Sequence, residues 1–187
     1  MKTIIKDSNY TYIISKSKFI GIIHKVYSKD EIDNILEEYR KKYSQATHIC
    51  YAYILPNTKK YSDDGEPLGT AGIPILDILE KNDLCYVLAI VIRYFGGIKL
   101  GSNGLVRSYS HTISETLINN IKEMEYGYLI KIVEGYDKND KIEYLLKNSQ
   151  IISKQFFDKI TIHAIVNKKT LEKFSNISYE IIDKKII

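Results

Sequence analysis

The run Arg93-Tyr94-Phe95-Gly96-Gly97-Ile98-Lys99-Leu100-Gly101-Ser102-Asn103-Gly104-Leu105-Val106-Arg107 carries the residue types of an anion site. Its glycines allow close approach of backbone to a ligand, and Ser102 or Asn103 is placed to cap a following helix. Free N–H groups at such a helix start attract negative charge, and Arg93, Lys99 and Arg107 add to the attraction. Tyr94 and Phe95, beside these cations, are placed to stack on bases or on a partner surface. The spacings GxxxxGK[ST] and GxGxxG are both absent, which excludes a P-loop and a Rossmann fingerprint. A tight strand-to-helix connection is the competing explanation, but four glycines between positions 96 and 104 exceed what a turn requires.

A second segment, Ser62-Asp63-Asp64-Gly65-Glu66-Pro67, gathers carboxylates at Asp63, Asp64 and Glu66. Such a group can hold a divalent cation, contact a partner, or simply form an Asx-type turn into the next helix. The ligand spacing of an EF-hand is missing. His48 and Cys50, two apart on one strand face, resemble half of a metal site, but no CxxC or HxxxH pair completes it. Neither a metal nor a cofactor is expected, and no residue is assigned a catalytic role. Helical spacing also aligns Arg107, His111 and Glu115 on one polar face.

The elements that must position these segments follow from hydrophobic periodicity. Residues 10–26 fit two strands with a turn at 15–17. Ser28 and Glu31 form a capping box for a helix to Lys42, with Ile32, Ile35, Leu36 and Tyr39 as its apolar stripe. A strand at 48–55 ends in a Pro56-Asn57 turn, and 61–74 reads as loop. A helix starts near 70–73 and runs to 81. The run 84–94 is apolar at nearly every position, so it is a central strand covered on both faces. A loop at 95–104 leads to a helix over 105–122. Past Met124 the pattern is strand 127–134, helix 137–147, strands 150–155 and 159–166, helix 168–174 and strand 178–187. That βαββαβ order is the ferredoxin-like split pattern.

These letters resemble the YigZ/IMPACT family, whose eukaryotic relatives include the translation regulator IMPACT. The resemblance rests on Ser17-Lys18-Phe19-Ile20, Ala46-Thr47-His48 with Cys50-Tyr51-Ala52-Tyr53, residues 62–67 with Gly69-Thr70-Ala71-Gly72, and residues 93–101 with Gly104-Leu105-Val106-Arg107. It implies an α/β fold: residues 1–125 as a two-layer domain of the type found in a small-subunit ribosomal protein, and 126–187 as a ferredoxin-like domain like one in elongation factor G. Two positions depart from the family pattern. Ile73 stands where a polar or basic residue is common before Pro74, and Ser102-Asn103 replaces a small residue plus glycine.

Composition sets the limits of the functional reading. The chain has 187 residues, 44% hydrophobic and 27% charged, with a net charge of +4. That is ordinary globular usage, and far from the bias of a protein that coats nucleic acid. Basic charge is nonetheless concentrated: Arg93, Lys99, Arg107 and Lys122 face a single acid, Glu115, between residues 84 and 122. The longest apolar run, 84–92, is far below the roughly 20 residues of a membrane span. The N-terminal residues lack a signal-peptide core, so the expectation is a cytoplasmic protein with no membrane partner.

The leading expectation is a non-enzymatic protein that binds RNA or the ribosome and modulates translation, with Arg93, Lys99 and Arg107 on phosphates. One alternative is an enzyme or binding protein for a phosphorylated small molecule, since Lys99–Asn103 loosely resembles a kinase phosphate loop. The other is a protein-interaction module, contacting a component of the translation machinery through the 63–66 loop.

Overall fold

The computed structural model describes residues 1–186, and Ile187, at the end of the expected last strand, lies outside the described residues. The chain divides into two compact units, Met1–Glu123 and Met124–Ile187.

The first unit is built on β1 (Lys2–Ile4), β2 (Ser8–Ile14), β3 (Ser17–Lys25), α1 (Lys29–Lys42), β4 (His48–Leu55), β5 (Thr58–Ser62), α2 (Gly72–Lys81), β6 (Val87–Tyr94), α3 (Gly101–Thr116) and β7 (Ile121–Glu123). Its main sheet runs β2-β3-β6-β4-β5, with every neighbour antiparallel. Strand β6 lies in the middle, and alternation divides its side chains between two cores. Val87, Ala89 and Val91 join Phe19, Cys50, Ile75, Leu79 and Tyr109 under α2 and α3. Leu88, Ile90 and Ile92 join Ile32, Leu36, Tyr51 and Tyr53 under α1. The α/β class is as expected, but the two-layer arrangement is corrected to three layers, because α1 covers the face opposite α2 and α3.

Local chemistry explains most boundaries. Ser28 Oγ accepts the Glu31 N–H at 3.2 Å while Glu31 accepts the Tyr27 N–H at 2.8 Å, so the expected capping pair starts α1. Ser15 and Lys16, with φ of 46° and 62°, make the two-residue turn that sets the β2–β3 register. The Pro56-Asn57 turn joins β4 to β5, an exposed polar edge strand that occupies the first residues of the expected loop. On α3, Ser108, Thr112 and Thr116 return their hydroxyls to the carbonyls four residues earlier. Small and satisfied, Thr112 and Thr116 let α3 settle onto Gly21 of β3, where an added Cβ would fall 2.7 Å from both.

The expected helix over 105–122 is corrected at both ends. It begins at Gly101 and stops at Thr116. Asn119 turns left-handed (φ 54°), and the Asn120 amide takes the Lys6 N–H and donates to the Lys6 carbonyl and Ser8 Oγ. The chain then pairs as β7 with β1, antiparallel. The Asn119-Asn120 pair is the sequence signal for this stop.

The second unit contains β8 (Tyr126–Glu134), a short 3-10 turn at Tyr136–Lys138, α4 (Asn139–Leu146), β9 (Gln150–Phe156), β10 (Ile160–Asn167), α5 (Lys168–Leu171) and β11 (Tyr179–Ile186). Its antiparallel sheet has the order β11-β8-β10-β9, the ferredoxin-like order for a βαββαβ chain. Ile130, Ile132, Ile142, Leu146, Ile160 and Ile162 form its core. Asn167 Oδ1 caps α5 through the Thr170 N–H at 2.8 Å. Among the described residues no helix is long and apolar enough to cross a membrane.

Candidate anion-binding cleft

Antiparallel register places His48, the first residue of β4, opposite Arg93 near the end of β6. The chain leaves β6 through Phe95, loops back through Lys99, and enters α3 at Gly101. Between this path and the 63–67 loop lies a cleft of about 410 Å³. Thr47, His48, Glu66 and Pro67 form one side; Arg93, Phe95, Lys99 and Leu100 form another, and Gly101, Ser102 and Leu105 of α3 complete it. The glycine-rich segment and the acidic segment, far apart in sequence, therefore share one site.

At the buried base of the cleft is an ion pair. Arg93 Nη1 donates to Glu66 Oε1, which also accepts the Tyr109 hydroxyl at 2.8 Å. The Glu66 side chain is 3% exposed and that of Arg93 6%. Arg93 is flanked by Phe19 and Phe95, whose ring centroids lie 5.3 and 5.5 Å from the guanidinium carbon. The expectation of Arg93 as a free phosphate cation is corrected: most of its charge is spent on Glu66. Its Nε is nevertheless buried and, among the described residues, without a hydrogen-bond partner, a costly state.

Lys99 is exposed and lines the cleft, as does the start of α3. Leu100 occupies the N-cap position and supplies no side-chain cap. Ser102 and Asn103 lie within the first turn instead, so their expected capping role is corrected, and the first-turn N–H groups are left to other acceptors. Gly101 has a φ of 70°, the left-handed geometry that turns the loop into the helix. Phe95 is 45% exposed and lines the cleft. Tyr94 does not, because alternation sends it to the other sheet face, where it packs against the α1 core.

The remaining candidates lie outside. Asn103 and Arg107 are exposed along α3, beyond the residues lining the cleft, and Gly96, Gly97 and Gly104 serve the loop and the helix start. His111 sits 3.9 Å from Glu115 and edge-on to Tyr12. Ile73, the departure before Pro74, does not line the cleft.

The acidic loop is corrected as a free surface for a partner or metal. Asp63 accepts the N–H groups of Gly69, Ala71 and Gly72 at 2.8–3.0 Å, capping α2 from a distance, where negative charge meets the positive helix end. Asp64 accepts the Ile49 N–H at 2.6 Å. Glu66 is committed to Arg93. Among the described residues no group of three or more His, Cys, Asp and Glu side chains is arranged to hold a metal ion. His48, which by its spacing resembles only half of a metal site, proves instead to be a wall of the cleft. Thr47 has no site signal of its own in the sequence, yet its N–H donates to the Arg93 carbonyl and its Oγ takes the Phe95 N–H.

Cys50 is buried beside Tyr109 at the same base. Burial pushes its thiol well above the usual range, and the Tyr109 hydroxyl is raised by burial as well. Both stay protonated, Tyr109 as donor to Glu66. Iodoacetamide at about pH 8 should therefore leave Cys50 unmodified in the folded protein and label it after denaturation, as peptide mass spectrometry would read. Rapid labelling of the native chain would contradict this picture of the base.

Residues 15–117 match the family of the Impact N-terminal domain. Over 189 aligned residues the chain is 33% identical to the IMPACT family member YvyE of Bacillus subtilis, spanning 98% of this chain and 87% of that protein. It is 36% identical to the IMPACT family member YigZ of Escherichia coli, over 56% of this chain and 53% of that one. A crystal structure of a hypothetical protein superposes with a TM-score of 0.63 at 25% identity, covering 97% of each chain.

Proposed function

This chain belongs to the YigZ/IMPACT family, and we propose that its cleft takes a phosphate of RNA, making it a non-enzymatic RNA- or ribosome-binding protein that modulates translation. One observation carries the reading. The start of α3, which has no side-chain cap, and the exposed Lys99 converge on a single concave site rimmed by Phe95. Helix N–H groups and an ammonium favour an anion, and an exposed aromatic beside them favours a base. Asn103 and Arg107, four apart on the exposed side of α3, extend the surface along a phosphate backbone. In this reading residues 1–125 are the RNA-contacting IMPACT-type domain, and residues 126–187 are the ferredoxin-like domain that accompanies it.

The test is anisotropy with a single-stranded RNA across a salt series, together with co-sedimentation with ribosomes. Lys99→Glu should weaken binding at least tenfold at low salt, and the salt slope should fall by about 0.7 for each phosphate no longer neutralised. Arg107→Glu should act in the same direction with smaller effect. Both positions are exposed, so folding should be untouched. Wild-type affinity in the Lys99→Glu, Arg107→Glu double variant would overturn the reading. Arg93 is unsuitable for charge reversal, because its loss would leave Glu66 buried without a cation.

The cleft volume favours a second reading, a phosphorylated small molecule, since about 410 Å³ falls within the range of small-ligand pockets. A thermal-shift panel of mononucleotides and sugar phosphates separates the two: stabilisation by one of these, with no affinity for RNA, selects the second.

A further inference from the structure

His48 is held as a hydrogen-bond acceptor facing the cleft. Its Nδ1 lies 2.8 Å from the carbonyl oxygen of Asp64. A carbonyl can only accept, so Nδ1 carries the proton, and in the neutral ring Nε2 keeps its lone pair. The ring is clamped by the loop beneath it. Asp64 and Gly65 both adopt left-handed backbone, with φ of 44° and 86°, and an added Cβ on Gly65 would lie 3.5 Å from Nδ1. Such backbone is unfavourable for a non-glycine residue, and the Asp64 carboxylate offsets it by accepting the Ile49 N–H.

Nε2 faces Glu66 Oε2 at 3.8 Å, beyond hydrogen-bond range. The other oxygen of Glu66 is occupied by Arg93 and Tyr109. The neutral ring thus presents one acceptor, Nε2, on the cleft wall, and among the described residues no donor lies within hydrogen-bond range of it. Lys99 and the α3 N-terminus supply attraction for an anion in the same cleft, whereas this corner asks for a donor. A phosphate that carries a neighbouring O–H satisfies both demands.

We infer that His48 Nε2 accepts a hydrogen bond from a ribose 2′-hydroxyl, so that the cleft selects ribonucleotides over deoxyribonucleotides. This rests on the phosphate-cleft reading and makes it more specific: the 2′-hydroxyl is the group by which a protein tells RNA from DNA. An acceptor on the cleft wall left unpaired by the deoxy ligand is the physical source of the selectivity.

The experiment uses the full chain and three fluorescein-labelled oligouridylates of equal length: ribose, 2′-deoxy and 2′-O-methyl, the last keeping the sugar substituent but lacking the donor. Wild type should bind the ribose form about tenfold more tightly than either other form, the worth of one good hydrogen bond. His48→Ala should bring the three affinities together while leaving the salt slope, which reports the phosphate contacts, unchanged. His48→Gln, which keeps an acceptor, should restore part of the preference. Lys99→Glu should weaken all three probes alike. Equal affinities in wild type, or a ribose preference that survives in His48→Ala, would overturn the inference and leave the phosphate reading standing. Absence of binding to every probe overturns both.

Discussion

Glu66→Ala should destabilise the first unit by about 3–5 kcal/mol, the cost of leaving a buried charge without its partner. Glu66 is the carboxylate that meets the Arg93 guanidinium at the base of the cleft, and both side chains are almost completely buried. The rings that flank the Arg93 guanidinium, Phe19 and Phe95, cannot accept its hydrogen bonds in place of a carboxylate. The Tyr109 hydroxyl would lose its acceptor at the same time, and burial bars it from ionising. Thermal unfolding followed by circular dichroism should show a midpoint lower by on the order of 10 °C. The stabilising geometry is a pair, so removing both charges should hurt less than removing one. Glu66→Leu combined with Arg93→Met should recover most of what Glu66→Ala loses, and a double-mutant cycle should give a large coupling. A loss below about 1 kcal/mol for Glu66→Ala would mean that water reaches the pair.

The strand carrying this pair shows how far the residues alone could lead. An unbroken apolar run at 87–92 required a central strand with both faces covered, and β6 is that strand. The same alternation already placed Arg93 on the face of Ala89 and Val91, hence toward a core, and Tyr94 on the other. An arginine at such a position requires a buried counter-charge more than it offers a free cation. What the letters lacked was the identity of that counter-charge, because residues 66 and 93 meet only once the sheet has set His48 beside Arg93. The same gap affected Asp63 and Asp64. Three carboxylates close in sequence look like one site, yet each is committed to a different target: the α2 N-terminus, the β4 backbone and a guanidinium. Residue type shows what chemistry a side chain can do; only the tertiary partner shows whether that capacity is already spent. His48 is the reverse case, a residue with weak motif support that gains significance because its Nδ1 is fixed and its Nε2 is not.

Gly96→Ala should be the most disruptive single-methyl change in the glycine-rich loop, and for a reason unrelated to ligand approach. A Cβ at that position would lie 2.0 Å from the Lys16 carbonyl carbon, 2.2 Å from its oxygen and 2.3 Å from the Ser17 nitrogen, all backbone atoms. No rotamer change can relieve such a clash. The Gly96 N–H also donates to Ser17 Oγ at 3.1 Å, so the exit of β6 is fastened to the β2–β3 turn. That turn already uses left-handed backbone at Ser15 and Lys16, which limits how far it can yield. The expected cost is about 3 kcal/mol, the upper end for overpacking. Displacing the segment that carries Phe95 and Lys99 should also reduce the proposed binding of RNA below detection. Gly101→Ala provides the contrast. A Cβ there meets nothing within 4 Å, and only its φ of 70° resists, for about 1–2 kcal/mol. Urea midpoints for the two variants should therefore differ clearly, with Gly101→Ala still folded and still binding. Equal midpoints would mean that the β6 exit moves freely from the β2–β3 turn, and the cleft would then lack the rigid wall that the proposed selectivity requires.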